Sequence, residues 1–216
     1  MKEVTAFVGV RSGSERVKNK NIKNFCDTTL LDLKLETLKK VDGLSGIVVS
    51  SDCDDILMRA RKHNVEIHKR DDYHASSKCS NSEYFYNISE IVKTNSVMYA
   101  PVTSPFVSVE TFNECMKKFQ TSDNVVTTNI VKHHLWLDGK PLNYELDKSP
   151  NSQDLPDIHA INYGCCLLSR NDLALHKNVV CRNPIFYVLD EIEGIDIDTS
   201  FDFTISEMLY RKLKNL

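Results

Sequence analysis

Short apolar runs and helically spaced apolar positions alternate along most of this chain. Val4-Thr-Ala-Phe-Val-Gly-Val10 is a β-branched, apolar run and reads as a buried strand. Leu31, Leu35 and Leu38 follow at i, i+4 and i+7, which predicts an amphipathic helix stopping at Asp42-Gly43. A second buried strand is predicted over residues 46–51. A helix comes next, with Ile56, Leu57 and Ala60 inward, Asp52 or Asp54 as its cap and Asn64 as its end. Residues 65–67 read as a third strand. Tyr84, Phe85, Ile88, Ile91 and Val92 make another helix face, residues 96–100 a strand, and Val109, Phe112, Cys115, Met116 and Phe119 a further helix. Strands over 124–130 and 162–168 and a closing helix through Phe201, Ile205, Met208, Leu209 and Leu213 complete the pattern.

Repeated β-α units of this length imply an α/β fold with a mostly parallel sheet covered on both faces. Right-handed crossovers then place the strand-to-helix loops along one edge, where such folds bind ligands. The rhythm breaks over about 132–161, which holds His133-His134, the single tryptophan Trp136, and Pro141, Pro150 and Pro156. A loop of that length inside a compact domain is uncommon, so it reads as an arm that packs on a second subunit.

With 216 residues, 41% apolar and 26% charged, the chain is expected to form one domain over 1–216. A net charge of −3 and a pI near 6.2 argue against a nucleic-acid partner. No segment approaches the roughly 20 apolar residues of a membrane span, and the first apolar run is closed early by Arg11, unlike a signal peptide. Seven cysteines without C-x-x-C spacing suit reduced thiols and a cytoplasmic location, with Cys165 and Cys166 on opposite faces of their strand.

Two segments carry chemistry. In Gly194-Ile-Asp-Ile-Asp-Thr199, an extended backbone would turn Asp196 and Asp198 to one side and Ile195 and Ile197 into the core. Paired carboxylates repel unless a cation compensates them, and a hard ion such as Mg²⁺, shared with substrate phosphate oxygens, is the usual compensation. The competing reading is a solvated strand end whose Asp198 or Thr199 caps the next helix. The second segment is the loop Arg11-Ser-Gly-Ser-Glu-Arg-Val-Lys-Asn-Lys-Asn21 after the first strand. Ser12 and Gly13 allow a close backbone approach to an anion, while Arg11, Arg16, Lys18 and Lys20 supply charge for a triphosphate. Neither the P-loop nor the dinucleotide spacing is present.

The basic loop, Val48-Val-Ser-Ser-Asp52, Thr103-Ser-Pro105 and Gly194-Ile-Asp-Ile-Asp-Thr199, in that order, resemble the acylneuraminate cytidylyltransferases and their relatives acting on other nine-carbon acid sugars. The resemblance covers almost the whole chain. It implies a Rossmann-like three-layer nucleotidyltransferase fold, CTP and an acid-sugar acceptor as substrates, Mg²⁺ as cofactor, and a homodimer whose arm helps to cover the neighbour's site. Arg11 resembles the triphosphate-contacting arginine, Lys20 the lysine closing that loop, and Asn21 the asparagine facing the nucleoside. Arg70 resembles the arginine near the cytidine, and Ser80 and Asn81 fall near nucleotide-contacting serines. Asp196 and Asp198 resemble the metal-binding pair. Arg11, Lys20 and Asp198 are thus the candidate catalytic residues, and Thr103, Ser104 and Asn162 the candidate acceptor contacts. The chain departs from the family pattern at Pro101 and Val107, where a glutamine and an arginine are common, and at Ser152, often arginine. The nucleotide half of the pattern is intact and the sugar half is altered.

Overall fold

The structure is a computed structural model, and it describes residues 1–13 and 20–215. In chain order the elements are β1 (Val4–Gly9), β2 (Asn24–Phe25), β3 (Thr28–Thr29), α1 (Leu30–Leu38), β4 (Leu44–Ser51), α2 (Asp54–Arg61), β5 (Glu66–Lys69), α3 (Asp72–Ala75) and α4 (Asn81–Ile91). They continue with β6 (Ser96–Tyr99), α5 (Val109–Phe119), β7 (Asn124–Val131), β8 (Trp136–Leu137), β9 (Lys140–Pro141), β10 (Ile158–Ser169), α6 (Arg170–His176), β11 (Ile185–Val188) and α7 (Ser200–Lys214).

Seven strands form the main sheet in the order β11-β7-β10-β6-β1-β4-β5. All its pairings are parallel except those of β10, which runs antiparallel between β6 and β7. The period-2 alternation sorts the strand residues into two cores. Ala6, Val8, Met98, Val125, Cys165 and Leu167 pack with α1, α2, α5 and α7 on one face. Phe7, Val97, Val126, Cys166 and Leu168 pack with α4 and α6 on the other. Adjacent Cys165 and Cys166 therefore lie on opposite faces, and both are free thiols. No helix among the described residues is long and apolar enough to cross a membrane.

Two boundaries differ from the sequence pattern. Cys53, without a side-chain cap bond, precedes α2, where Asp52 or Asp54 was the expected cap. Strand β10 begins at Ile158, inside the stretch read as arm, because Ile158–Ile161 pair with Val131–Thr128. The remaining excursion, 132–157, holds the β8–β9 hairpin and a 3-10 turn at Ser152–Asp154. Between Ile161 and Cys166, residues 162–165 of β10 stand opposite Thr127 alone, and Tyr163 takes a left-handed φ of 59°.

Helix α1 is tied to α2 by Asp32, which accepts from the Arg59 guanidinium and from His63 Nε2 at 2.9 Å. Burial would raise the Asp32 carboxyl, but bonds from Arg59, His63 and Thr29 outweigh it and bring it down to about 2. A carboxylate with a folded pKa below its unfolded value of about 3.9 stabilises above that value, and this stabilisation is lost as pH falls toward the folded one. Asp32→Asn is expected to cost about 1–2 kcal/mol at pH 7, allowing for screening at part-exposed Arg59, and almost nothing near pH 2. Urea unfolding of both forms at the two pH values checks this.

Candidate active site

The parallel strands β1, β4, β5 and β6 end on one rim, and the loops that follow them bring the site together. Beyond β1, Val10 donates its N–H to Ser50 O at 2.9 Å, so the basic loop starts from a fixed point on β4. Ser12 then binds Asp52, through its N–H at 2.9 Å and its hydroxyl at 2.5 Å. Burial would raise the Asp52 carboxyl, yet the Ser12 bonds hold it below the ordinary range. Asp52 thus anchors the loop instead of capping α2. Gly13 has open space around its Cα, and Arg16 lies outside the described residues.

At the far end of that loop, buried Asn21 donates its side-chain N–H to Arg11 O at 3.1 Å, closing the loop on itself. Its Oδ1 is buried without a partner. Buried Lys20 reaches across to the acidic segment and donates to Ile197 O at 2.5 Å.

A cleft of about 370 Å³ opens beside Arg11 and is lined also by Gly9, Arg70, Asn81, Tyr84 and Tyr99. Arg70 is buried, donates to Ser50 Oγ at 3.1 Å and Ser50 O at 2.6 Å, and lies 4.9 Å from the Tyr84 ring centre. Gly9 is required by close approach, since a Cβ there would meet Tyr84 Oη at 1.8 Å. Ser80 serves a different purpose from the expected one. It caps α4, its hydroxyl engaged with Glu83 in a reciprocal capping box, while its neighbour Asn81 lines the cleft.

The acidic pair sits in an irregular segment, not on the extended strand the sequence suggested. Ile197 is fully buried and donates its N–H to Thr103 O at 2.8 Å, whereas Ile195 is only half-buried. Asp196 is largely enclosed and Asp198 exposed. Burial, then the neighbouring Asp198 charge, push the Asp196 carboxyl up, against a hydrogen bond from Thr103 and the charge of Lys20. Asp196 Oδ1 is buried without a hydrogen-bond partner. An orphaned carboxylate oxygen beside a second carboxylate fits a hard divalent cation. Among the described residues no group of three or more His, Cys, Asp or Glu side chains has metal-holding geometry, so water and phosphate oxygens would supply the remaining ligands. Thr199 caps α7 with Asp202 in a second capping box, as the competing reading of this segment expected of Asp198 or Thr199.

The candidate acceptor contacts divide. Thr103 touches Asp196 directly. Ser104 is buried, and its carbonyl accepts from Lys34 Nζ at 2.8 Å. Asn162 belongs to a relay that supports the acidic segment. Thr127 Oγ1 donates to Asn162 Oδ1 at 2.7 Å, Asn162 Nδ2 to Asn129 Oδ1 at 2.5 Å, and Asn129 Nδ2 to Gly194 O at 3.1 Å. Gly194 is required here too, because a Cβ would stand 2.3 Å from Asn129 Oδ1. Glu193 fixes the preceding turn by accepting from Ser108 N–H at 2.9 Å and Thr111 Oγ1 at 2.5 Å.

Sequence reasoning held Ser50 and Asp52 only as part of the Val48–Asp52 motif, without these bonds, and missed Tyr84, Asn129, Glu193 and Lys34. For Lys34 a signal existed, since it falls at i+3 from Leu31, on the apolar stripe of α1. In the excursion, His134 Nε2 lies 3.0 Å from Pro150 O and the Trp136 ring meets Tyr144 edge-on.

Comparison with known proteins bears on the fold and the family. Solved CMP:2-keto-3-deoxy-manno-octonic acid synthetase, complexed with CTP, superposes with a TM-score of 0.73 at 10% identity, covering 98% of this chain and all of that one. The fold is therefore the Rossmann-like nucleotidyltransferase fold. A cytidylyltransferase family model matches residues 5–149. Post-translational flagellin modification protein B of Campylobacter coli is 24% identical over 234 residues, covering 100% of this chain and 98% of that protein. N-acylneuraminate cytidylyltransferase of Escherichia coli O18:K1:H7 is 24% identical over 224 residues, and this chain, 97% covered, spans 52% of its length. The chain belongs to the cytidylyltransferase family and is a CTP-dependent nucleotidyltransferase.

Proposed function

We propose that this protein transfers CMP from CTP to the anomeric hydroxyl of a sialic-acid-like acid sugar, releasing pyrophosphate, with Mg²⁺ held by Asp196 and Asp198. The observation that carries this reading is the buried, partnerless oxygen of Asp196, beside Asp198 and bridged by Lys20 to the basic loop. The acceptor oxygen forms a bond to the α-phosphorus as the bond to the departing pyrophosphate breaks. Positioning and charge do most of the work in such a transfer. Arg11 and Lys20 neutralise charge on the departing phosphates. Arg70, stacked on Tyr84, walls the nucleotide cleft, and the orphaned Asn21 Oδ1 can accept a hydrogen bond from the nucleotide. When bound, Mg²⁺ supplies positive charge to the phosphate oxygens. The Thr103 carbonyl and the Lys20 ammonium grip the backbone of Ile197, between the two carboxylates that would hold that ion.

The excursion at 132–157 is proposed to dock a second copy of the chain, supported by exposed Trp136, Leu137, Leu142 and Leu146. Lys132, Lys140 or Lys148 of the excursion could supply the cation for the acceptor carboxylate; Lys132 pairs with Asp157 and Lys148 with Glu145. A second reading of the acceptor, an eight-carbon acid sugar or a phosphonate, is favoured by buried Pro101 and Val107, where the family commonly places polar side chains. Pyrophosphate release from CTP and Mg²⁺, across a panel of acid sugars and phosphonates with ATP, GTP and UTP as controls, decides between them. Turnover with a nine-carbon acid sugar and CTP alone is the expected result. Turnover with another acceptor supports the second reading, and CTP binding without turnover on any acceptor overturns both.

A further inference from the structure

Lys34 is 1% exposed, enclosed between α1 and the loop that follows β6. Its ammonium donates to Ser104 O at 2.8 Å and lies 5.0 Å from the centre of the Phe112 ring. Carboxylates of Glu193 and Asp196 and the Cys165 thiol act on it through space, and against them burial still lowers its pKa to about 8. An enclosed ammonium served by a neutral carbonyl is costly, and an apolar side chain of similar volume is often neutral or stabilising at such a place. The location of the cost suggests its use. Ser104 and Thr103 are consecutive in one tight turn between Pro101 and Pro105. The Ser104 carbonyl is held by Lys34, and the Thr103 carbonyl receives the N–H of Ile197, the residue after Asp196, at 2.8 Å.

We propose that Lys34 is a positioning residue for the acidic segment: by fixing Ser104 from beneath, it sets the depth of Thr103 and hence the placement of Asp196. The inference rests on the reading of Asp196 and Asp198 as metal ligands. Its chain of contacts starts in the core and ends at Ile197, next to Asp196, whose Oδ1 is buried without a partner. Lys34 touches neither substrate nor metal. Its effect passes through one turn of backbone.

The test is Mn²⁺ binding, read from the electron paramagnetic resonance of free Mn²⁺ in the presence of a non-hydrolysable CTP analogue. Melting temperature and metal-free binding of the same analogue are measured alongside. Lys34→Met is expected to weaken Mn²⁺ binding about tenfold or more, with the melting temperature unchanged or raised and metal-free nucleotide binding within about twofold of the native protein. Lys34→Gln, one bond too short to reach the Ser104 carbonyl, is expected to lose Mn²⁺ affinity in the same way, and it carries the test if Lys34→Met does not fold. Mn²⁺ affinity within twofold of native in a folded variant overturns the proposal. So does an equal fall in metal-free nucleotide binding, which marks general damage. Asp196→Asn and Asp198→Ala run in the same titration separate the two ideas. If they also leave Mn²⁺ binding intact, the metal reading itself is wrong. If they abolish binding while the Lys34 variants do not, the role of Lys34 alone is wrong.

Discussion

Asp198→Ala is expected to lower kcat for CMP transfer by about 10²–10³-fold, the usual effect of removing one group that stabilises charge in a transition state. The fold should be untouched, because Asp198 is exposed. Its backbone N–H donates to Asp202 Oδ2 at 3.1 Å, and alanine keeps that bond and the cap on α7. Steady-state kinetics over a Mg²⁺ titration, paired with thermal unfolding, provide the check. A collapsed kcat with a melting temperature within about 2 °C of native fits the assignment. Full activity at ordinary Mg²⁺ concentration removes Asp198 from the chemistry.

The second large effect is expected at Gly9. Alanine would put its Cβ 1.8 Å from Tyr84 Oη and 3.1 Å from Arg70 Nη2, which no relaxation of bond angles accommodates. Tyr84 is hemmed in by Phe7 edge-on at 6.4 Å, by Phe85 at 5.9 Å and by the Arg70 guanidinium on its ring. The ring must therefore swing into the cleft and release Arg70. Overpacking of this kind costs about 1–3 kcal/mol. Spent on the nucleotide site, that is roughly a five- to hundredfold rise in KM for CTP. Isothermal titration with CTP separates it from the Asp198 effect, since Gly9→Ala should weaken binding while Asp198→Ala should chiefly slow turnover. Gly9→Ala with native CTP affinity would mean that the nucleotide lies elsewhere on the rim.

The elements with strong periodicity were legible in the sequence, and those that depend on partners were not. Leu31, Leu35 and Leu38 mark α1, and Val109, Phe112, Cys115, Met116 and Phe119 mark α5, because each helix lays one apolar stripe on the sheet. Helix α6 buries Leu173 alone, and β11 is a four-residue edge strand, so neither has a period to detect. The antiparallel direction of β10 was hidden as well. The chain between β7 and β10 carries no helical spacing, and direction is set by the path of that excursion, not by the strand's own residues. Among the candidate site residues, Arg11, Lys20 and the acidic pair stand out because charge on a rim loop is conspicuous, whereas Asn21 and Arg70 are singled out only by the family resemblance. Their supports escaped because each is defined by a hydrogen bond across tens of residues. Asp52 binds Ser12, Asn129 binds Gly194, and no spacing rule connects them. Ser80 shows the opposite failure, a Ser-x-x-Glu box that reads as a cap on spacing alone, and here the cap is what its hydroxyl serves.

The reversed direction of β10 has a mechanical consequence. Parallel strands reach the rim with their last residues, and each is insulated from the next by a full crossover. Strand β10 arrives there with its first residues, straight from the excursion, and Asn162 follows four residues after Ile158. Its first residues, Ile158–Ile161, are paired along β7 and join the excursion directly to Asn162, where the ladder breaks. A shift of the excursion where it enters β10 falls on the residues just before Asn162, which is linked through Asn129 to the carbonyl of Gly194. Whatever grips the excursion has a handle on the acidic segment.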